Sequence, residues 1–147
     1  MVVTRRMSVA AAVVFASTLS GRAVCAAVDV CSLLTPAEAA SALLVPEVNA
    51  GAGANRCIWT PKKYKAGAGQ LTVQVEGASD SAKATGLGTA VRGVGDEAIS
   101  TVVGSTNSSV LHVRKGTTWF VVNVHGVPLD QAQKVEQTVG SLIAGRL

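Results

Sequence analysis

Residues 97–125 read EAISTVVGSTNSSVLHVRKGTTWFVVNVH. Three runs rich in β-branched and aromatic residues, about 97–103, 109–115 and 118–125, are separated by short Gly-, Ser-, Thr- and Asn-containing breaks. Such runs with such breaks predict strands. Connections this short favour antiparallel pairing of successive strands. With the last turn centred on Lys115-Gly116, Arg114 faces Thr117, His112 faces Trp119 and Val110 faces Val121. Period-two alternation then places Leu111, Val113, Phe120, Val122 and Val124 on one face, the expected core. The opposite face carries His112, Arg114, Trp119, Asn123 and His125.

Working outward, residues 70–76 alternate apolar Leu71, Val73 and Val75 with polar Gln70, Thr72, Gln74 and Glu76, the pattern of a strand with one wet side. A further short strand is expected at 56–60, around Cys57-Ile58-Trp59. Residues 46–55 contain Gly51-Ala52-Gly53-Ala54 and read as a flexible loop. Residues 61–69 read as a basic loop, 79–85 as a short helix, and Gly86, Gly88, Gly93 and Gly95 as marks of another loop. Thr35-Pro36-Ala37-Glu38 is a helix start with a cap, a first-turn proline and a capping-box acid; that helix should run to about Leu44, before Pro46. A last helix opens at Pro128 and Asp130 and reaches about Ala144, with Val135, Val139, Leu142 and Ile143 expected to face the sheet. The expected fold is α+β: one antiparallel sheet of about five strands with N- and C-terminal helices packed on it.

Residues 1–26 read as a secretory signal peptide. Arg5 and Arg6 supply the positive start, 7–19 the uncharged run and Ala23-Val24-Cys25-Ala26 the small residues before a cut. The apolar run is shorter than the roughly 20 residues that span a bilayer, which disfavours a retained anchor. Lipidation of Cys25 is disfavoured by Val24 before it and by Arg22. Arg5-Arg6 resembles the start of a twin-arginine signal, but Met7-Ser8-Val9 does not complete it. Residues 27–147 form the expected single exported domain, secreted or periplasmic. Removing 1–26 leaves two cysteines, Cys31 and Cys57. An even number in an exported chain implies a disulfide, and two allow one pairing.

The charge balance narrows the partners. The chain has 147 residues and a formal charge of +4, but three of its 13 basic residues (Arg5, Arg6, Arg22) and none of its 9 acidic ones lie in the first 26, so the exported part carries about +1. With aromatics at 3%, neither a nucleic-acid partner nor an aromatic stacking platform is expected. A composition 48% hydrophobic and 15% charged argues against disorder.

Cys31-Ser32-Leu33-Leu34-Thr35 with Glu38, then Cys57-Ile58-Trp59, Gly93-Val94-Gly95-Asp96-Glu97-Ala98, and Val113-Arg114-Lys115-Gly116 before the last strand and helix form a set of short motifs. The set resembles a group of exported bacterial domains of unknown function, common among actinobacterial lipoproteins and secreted proteins. The resemblance covers most of the exported part. It implies a Cys31–Cys57 disulfide and an antiparallel α+β sandwich, and carries no established catalytic residues. The missing lipidation site departs from the lipoprotein members and favours a soluble form.

Candidate chemistry is sparse. Residues 93–98 match a dinucleotide fingerprint, but that motif must open a helix after a strand, and here antiparallel strands follow. A tight turn with glycines at positive φ explains it better, with Asp96 and Glu97 paired to Arg92 or Arg114. There is no GxSxG and no HExxH. No catalytic residue, metal or cofactor is expected. Lys62, Lys63 and Lys65 form a loop that could meet anions, although a solvated loop explains it as well. Asn107-Ser108-Ser109 matches a glycosylation sequon, uninformative if the source is bacterial. The expected function is a non-enzymatic exported domain binding an envelope protein or a small ligand. His112, Arg114, Trp119, Asn123 and His125 are its candidate surface, weighed against a face covered by a helix. A small hydrolase using His112 or His125, and a structural or inhibitory partner of another envelope protein, are the alternatives.

Overall fold

A computed structural model describes residues 28–63, 67–77, 86–103 and 108–147. The expected signal peptide, Tyr64, Lys65, the helix expected at 79–85 and Asn107 lie outside the described residues. The described chain enters through a single 3-10 turn (Val30–Ser32), capped by the Asp29 carboxylate, which accepts from Cys31 N at 3.1 Å. Helix α1 (Pro36–Ala42) follows with the expected capping box: Glu38 N donates to Thr35 Oγ1 at 3.3 Å and Thr35 N to Glu38 Oε2 at 2.9 Å. It ends two residues earlier than expected, because Leu43 forms the cap and Leu44 turns left-handed, at φ 57°.

The sheet has seven strands, not about five: β1 (Val48–Ala52), β2 (Arg56–Pro61), β3 (Gln70–Glu76), β4 (Thr89–Ala90), β5 (Glu97–Val103), β6 (Ser108–Lys115) and β7 (Thr118–His125). The two additional strands occupy stretches expected as loops. β1 is formed by pairing to β2, with Gly51 opposite Ile58 and Ala50 opposite Trp59. β4 is a two-residue edge on β5. The order is β1-β2-β3-β7-β6-β5-β4, all antiparallel. Two meanders, β1–β3 and β4–β7, thus meet where β3 pairs with β7.

The last hairpin turns on Gly116-Thr117, one position later than expected. Lys115 therefore pairs with Thr118, Arg114 with Trp119, His112 with Val121 and Val110 with Asn123. The expected cross-strand partners change, but a shift of two in register preserves both faces. Leu111, Val113, Phe120, Val122 and Val124 are all buried.

Both helices lie on that buried face. Helix α2 (Leu129–Ala144) crosses β6 and β7, while α1 and the 3-10 turn sit against β1 and β2. Ala132, Val135, Val139 and Ile143 of α2 are buried; Leu142, expected inward, is 38% exposed instead. Gly140 lets α2 approach the sheet closely, since a Cβ there would stand 3.0 Å from Val94 Cγ1 and 3.1 Å from Leu111 Cδ2. Cys31 and Cys57 are bonded, with Cα atoms 5.1 Å apart, which ties the entry of α1 to β2. The C-terminus closes the same corner: Arg146 donates to both Glu38 oxygens and, at 2.7 Å, to Leu33 O. This fork, with the capping-box bonds, lowers the Glu38 pKa to about 2. No helix among the described residues is long and apolar enough to cross a membrane.

Candidate functional site

With α1 and α2 on one face, the other face of the sheet is left without a described helix. Side chains there fall in cross-strand rows. One row is Arg56, Gln74, Val121, His112 and Ile99; the next is Ile58, Thr72, Asn123, Val110 and Thr101. All five residues expected to form a surface are on this face. None is covered by α1 or α2.

The five nevertheless divide into two groups. Asn123 and His125 line a shallow depression of about 390 Å³ over β2, β3, β7 and β6, on a floor of Ile58, Val110 and Val121. Its polar wall comes from Arg56 and from Gln70, Thr72, Gln74 and Glu76 of β3. The alternation of β3 revealed that wet side in the sequence. What could not be read was that β3 lies beside β7, which is what joins the two polar sets.

Part of the polar lining is already engaged: Gln70 Nε2 donates to Thr60 Oγ1 at 3.2 Å. Asn123 Nδ2 donates to Ser109 O at 2.8 Å, yet Asn123 Oδ1 is buried with no hydrogen-bond partner. A buried unpaired carbonyl of this kind costs stability.

The second group is anchored by side-chain contacts to two glutamates. His112 Nδ1 lies 3.3 Å from Glu76 Oε2, and both side chains are largely buried. Arg114 Nε donates to Glu97 at 3.1 Å. Trp119 stands half-buried between Glu76 and Arg114 in register. The side-chain partner of His112 is thus a carboxylate.

The side chains next to His112 in the register are Val121, Ile99, Val110 and Arg114, none of them a nucleophile. His125 is exposed at the end of β7 and makes no side-chain hydrogen bond among the described residues.

The Gly93–Ala98 stretch is a turn leading into β5, with Gly93 at φ 81° and Gly95 at φ 59°. A Cβ on Gly95 would stand 2.6 Å from Arg114 O. Asp96 accepts from Gly116 N at 2.7 Å and from Lys115 Nζ at 3.0 Å, which lowers its pKa. Its partner is Lys115 rather than Arg92 or Arg114, whereas Glu97 does pair with Arg114. The motif pins one hairpin end to another. Among the described residues no cluster of three or more His, Cys, Asp or Glu could hold a metal. Lys62 pairs with Glu47 at 3.0 Å; Lys63 is exposed beside it.

Comparison with family models, with curated proteins and with solved structures finds no match to this chain.

Proposed function

We propose that the chain is a non-enzymatic exported binding domain that holds a ligand or protein partner on the sheet face opposite its helices. In this reading residues 1–26 are the export signal and 27–147 one domain of the kind found in exported bacterial proteins. It works in the cell envelope or outside the cell. The disulfide fits an oxidising compartment. The observation that carries the binding role is the depression beside Asn123, where an apolar floor of Ile58, Val110 and Val121 meets the amides of Gln74 and Asn123 and the hydroxyl of Thr72. Binding sites combine these features: apolar area for affinity, a few placed polar groups for orientation.

The test is side-chain amide NMR of the purified protein during titration with fractionated envelope extract. The Asn123 and Gln74 amide signals should shift, and Asn123→Ala with Gln74→Ala should weaken the response about tenfold or more. Binding that leaves these amides unmoved would remove the site. The Glu76–His112 pair favours a second reading, a small hydrolase. Turnover of envelope substrates that disappears in His112→Ala would establish that reading and end the first.

A further inference from the structure

Helix α2 carries one acid into the core. Glu136 is 1% exposed, and with Ser109 it makes up the buried polar or charged set among the described residues. The register explains its place. β6 and β7 pair from Lys115–Thr118 down to Val110–Asn123, one step short of Ser109 and Val124. Where the pairing stops, the Glu136 carboxyl bridges the two strands. Ser109 Oγ of β6 donates to Oε2 at 2.7 Å, and Val124 N of β7 donates to Oε1 at 3.2 Å. The strands are tied at the same point from the opposite face, where Asn123 Nδ2 donates to Ser109 O at 2.8 Å. Ser109 is thus held by its hydroxyl from the helix side and by its carbonyl from the side of the depression.

We propose that Glu136 is a proton-operated clasp on the β6–β7 ladder, and that Ser109 transmits its state through the sheet to the Asn123 amide. While the carboxyl is neutral it closes on both strands: one oxygen accepts from Val124 N, and the other shares a hydrogen bond with Ser109 Oγ. On ionisation the proton leaves to solvent, and the carboxylate must be hydrated because its surroundings supply no countercharge. It withdraws from the core, Ser109 Oγ and Val124 N lose their partner, and the strand end that carries Ser109 O is released. Asn123 then loses the bond that orients its amide. The clasp is thus a two-position element shared by both faces of the sheet.

The neighbours of Glu136 bear this out. Helix α2 packs on β6, β7 and α1. The inward side chains of β6 and β7 are Ser109, Leu111, Val113, Phe120, Val122 and Val124, none of them charged. On α2 the other charged residues, Asp130 and Lys134, are exposed. Glu38 of α1 is taken by the Arg146 fork. Burial raises the Glu136 pKa to about 7 against the opposing effect of its two bonds, so the clasp changes state near neutrality. Coupling is reciprocal: a ligand that engages the Asn123 amide would shift the Glu136 proton equilibrium. That consequence alone rests on the binding role proposed above; the clasp does not.

The test is NMR of the purified, disulfide-bonded protein without ligand, from about pH 5 to about pH 9. It follows the Glu136 carboxyl carbon, the Val124 backbone amide and the Asn123 side-chain amide. All three should titrate together with a midpoint near 7. Histidines titrate in this range too, so the same signals are read in a His112→Gln/His125→Gln background, where the response should persist. Glu136→Gln keeps an acceptor for Val124 N and a donor for Ser109 Oγ, and there the Asn123 amide should lose its pH response. Ser109→Ala should leave the Glu136 titration in place and remove most of the Asn123 response. Should Glu136→Gln fail to fold, the Ser109 and histidine variants decide. A Glu136 titration that the Asn123 amide does not follow would overturn the inference, as would a carboxyl ionised across the whole range. So would an Asn123 response that survives Glu136→Gln or Ser109→Ala, or one that disappears with the two histidines.

Discussion

Glu136 is the residue most at odds with its surroundings. It sits on α2 and is 1% exposed against the sheet, where Ser109 Oγ donates to it at 2.7 Å and Val124 N at 3.2 Å. Burial raises its pKa from 4.5 to about 7, only partly opposed by the two bonds. The folded protein therefore binds this proton more tightly than the unfolded chain. Its contribution to stability is full below about pH 4.5 and is lost as pH rises through about 7. Denaturant unfolding should show a loss on the order of 3 kcal/mol over that window, and Glu136→Gln should flatten it. Nothing in Gln133-Lys134-Val135-Glu136 announces a buried acid, because an isolated helix sequence does not say which polar residue meets the sheet. Asn123 and Trp59 were equally opaque. Each carries a buried polar atom without a partner, and such an orphan is a property of packing alone. Gly95 was legible: its positive φ and the 2.6 Å approach to Arg114 O predict that Gly95→Ala costs about 2 kcal/mol of stability by chemical denaturation.

At the scale of elements, legibility followed side-chain pattern. β3, β6 and β7 alternate apolar and polar residues, and their inward faces were read correctly. β1 offers Asn, Ala and Gly in place of alternation, and its strand conformation comes from pairing with β2 rather than from propensity. β4 has two residues, too few to carry a period. The capping box of α1 was visible as Thr35 and Glu38, but its third member, Arg146, is remote in sequence and appears only when the chain ends meet. The disulfide joins this same corner across a sequence separation of 26. Replacing both cysteines with serine should cost about 3 kcal/mol, measured by urea unfolding.

For the whole molecule, the class was readable, whereas the number of strands and their order were not. The long connection between β3 and β4 let β3 pair with β7, and no local signal in residues 70–125 specifies that crossover. Yet that pairing sets Gln74 and Thr72 beside Val121 and Asn123 and so creates the depression. Sequence located one polar strip on β7 and another on β3; the topology made them one surface. The central claim is that this surface, opposite the helices, is where the protein binds. Its most direct test is parallel affinity capture from envelope extract, with quantitative mass spectrometry, using wild-type protein and an Asn123→Ala/Gln74→Ala variant shown to melt like wild type. The account predicts a partner or ligand held by wild type and depleted about tenfold or more on the variant. Equal recovery on both baits would contradict it.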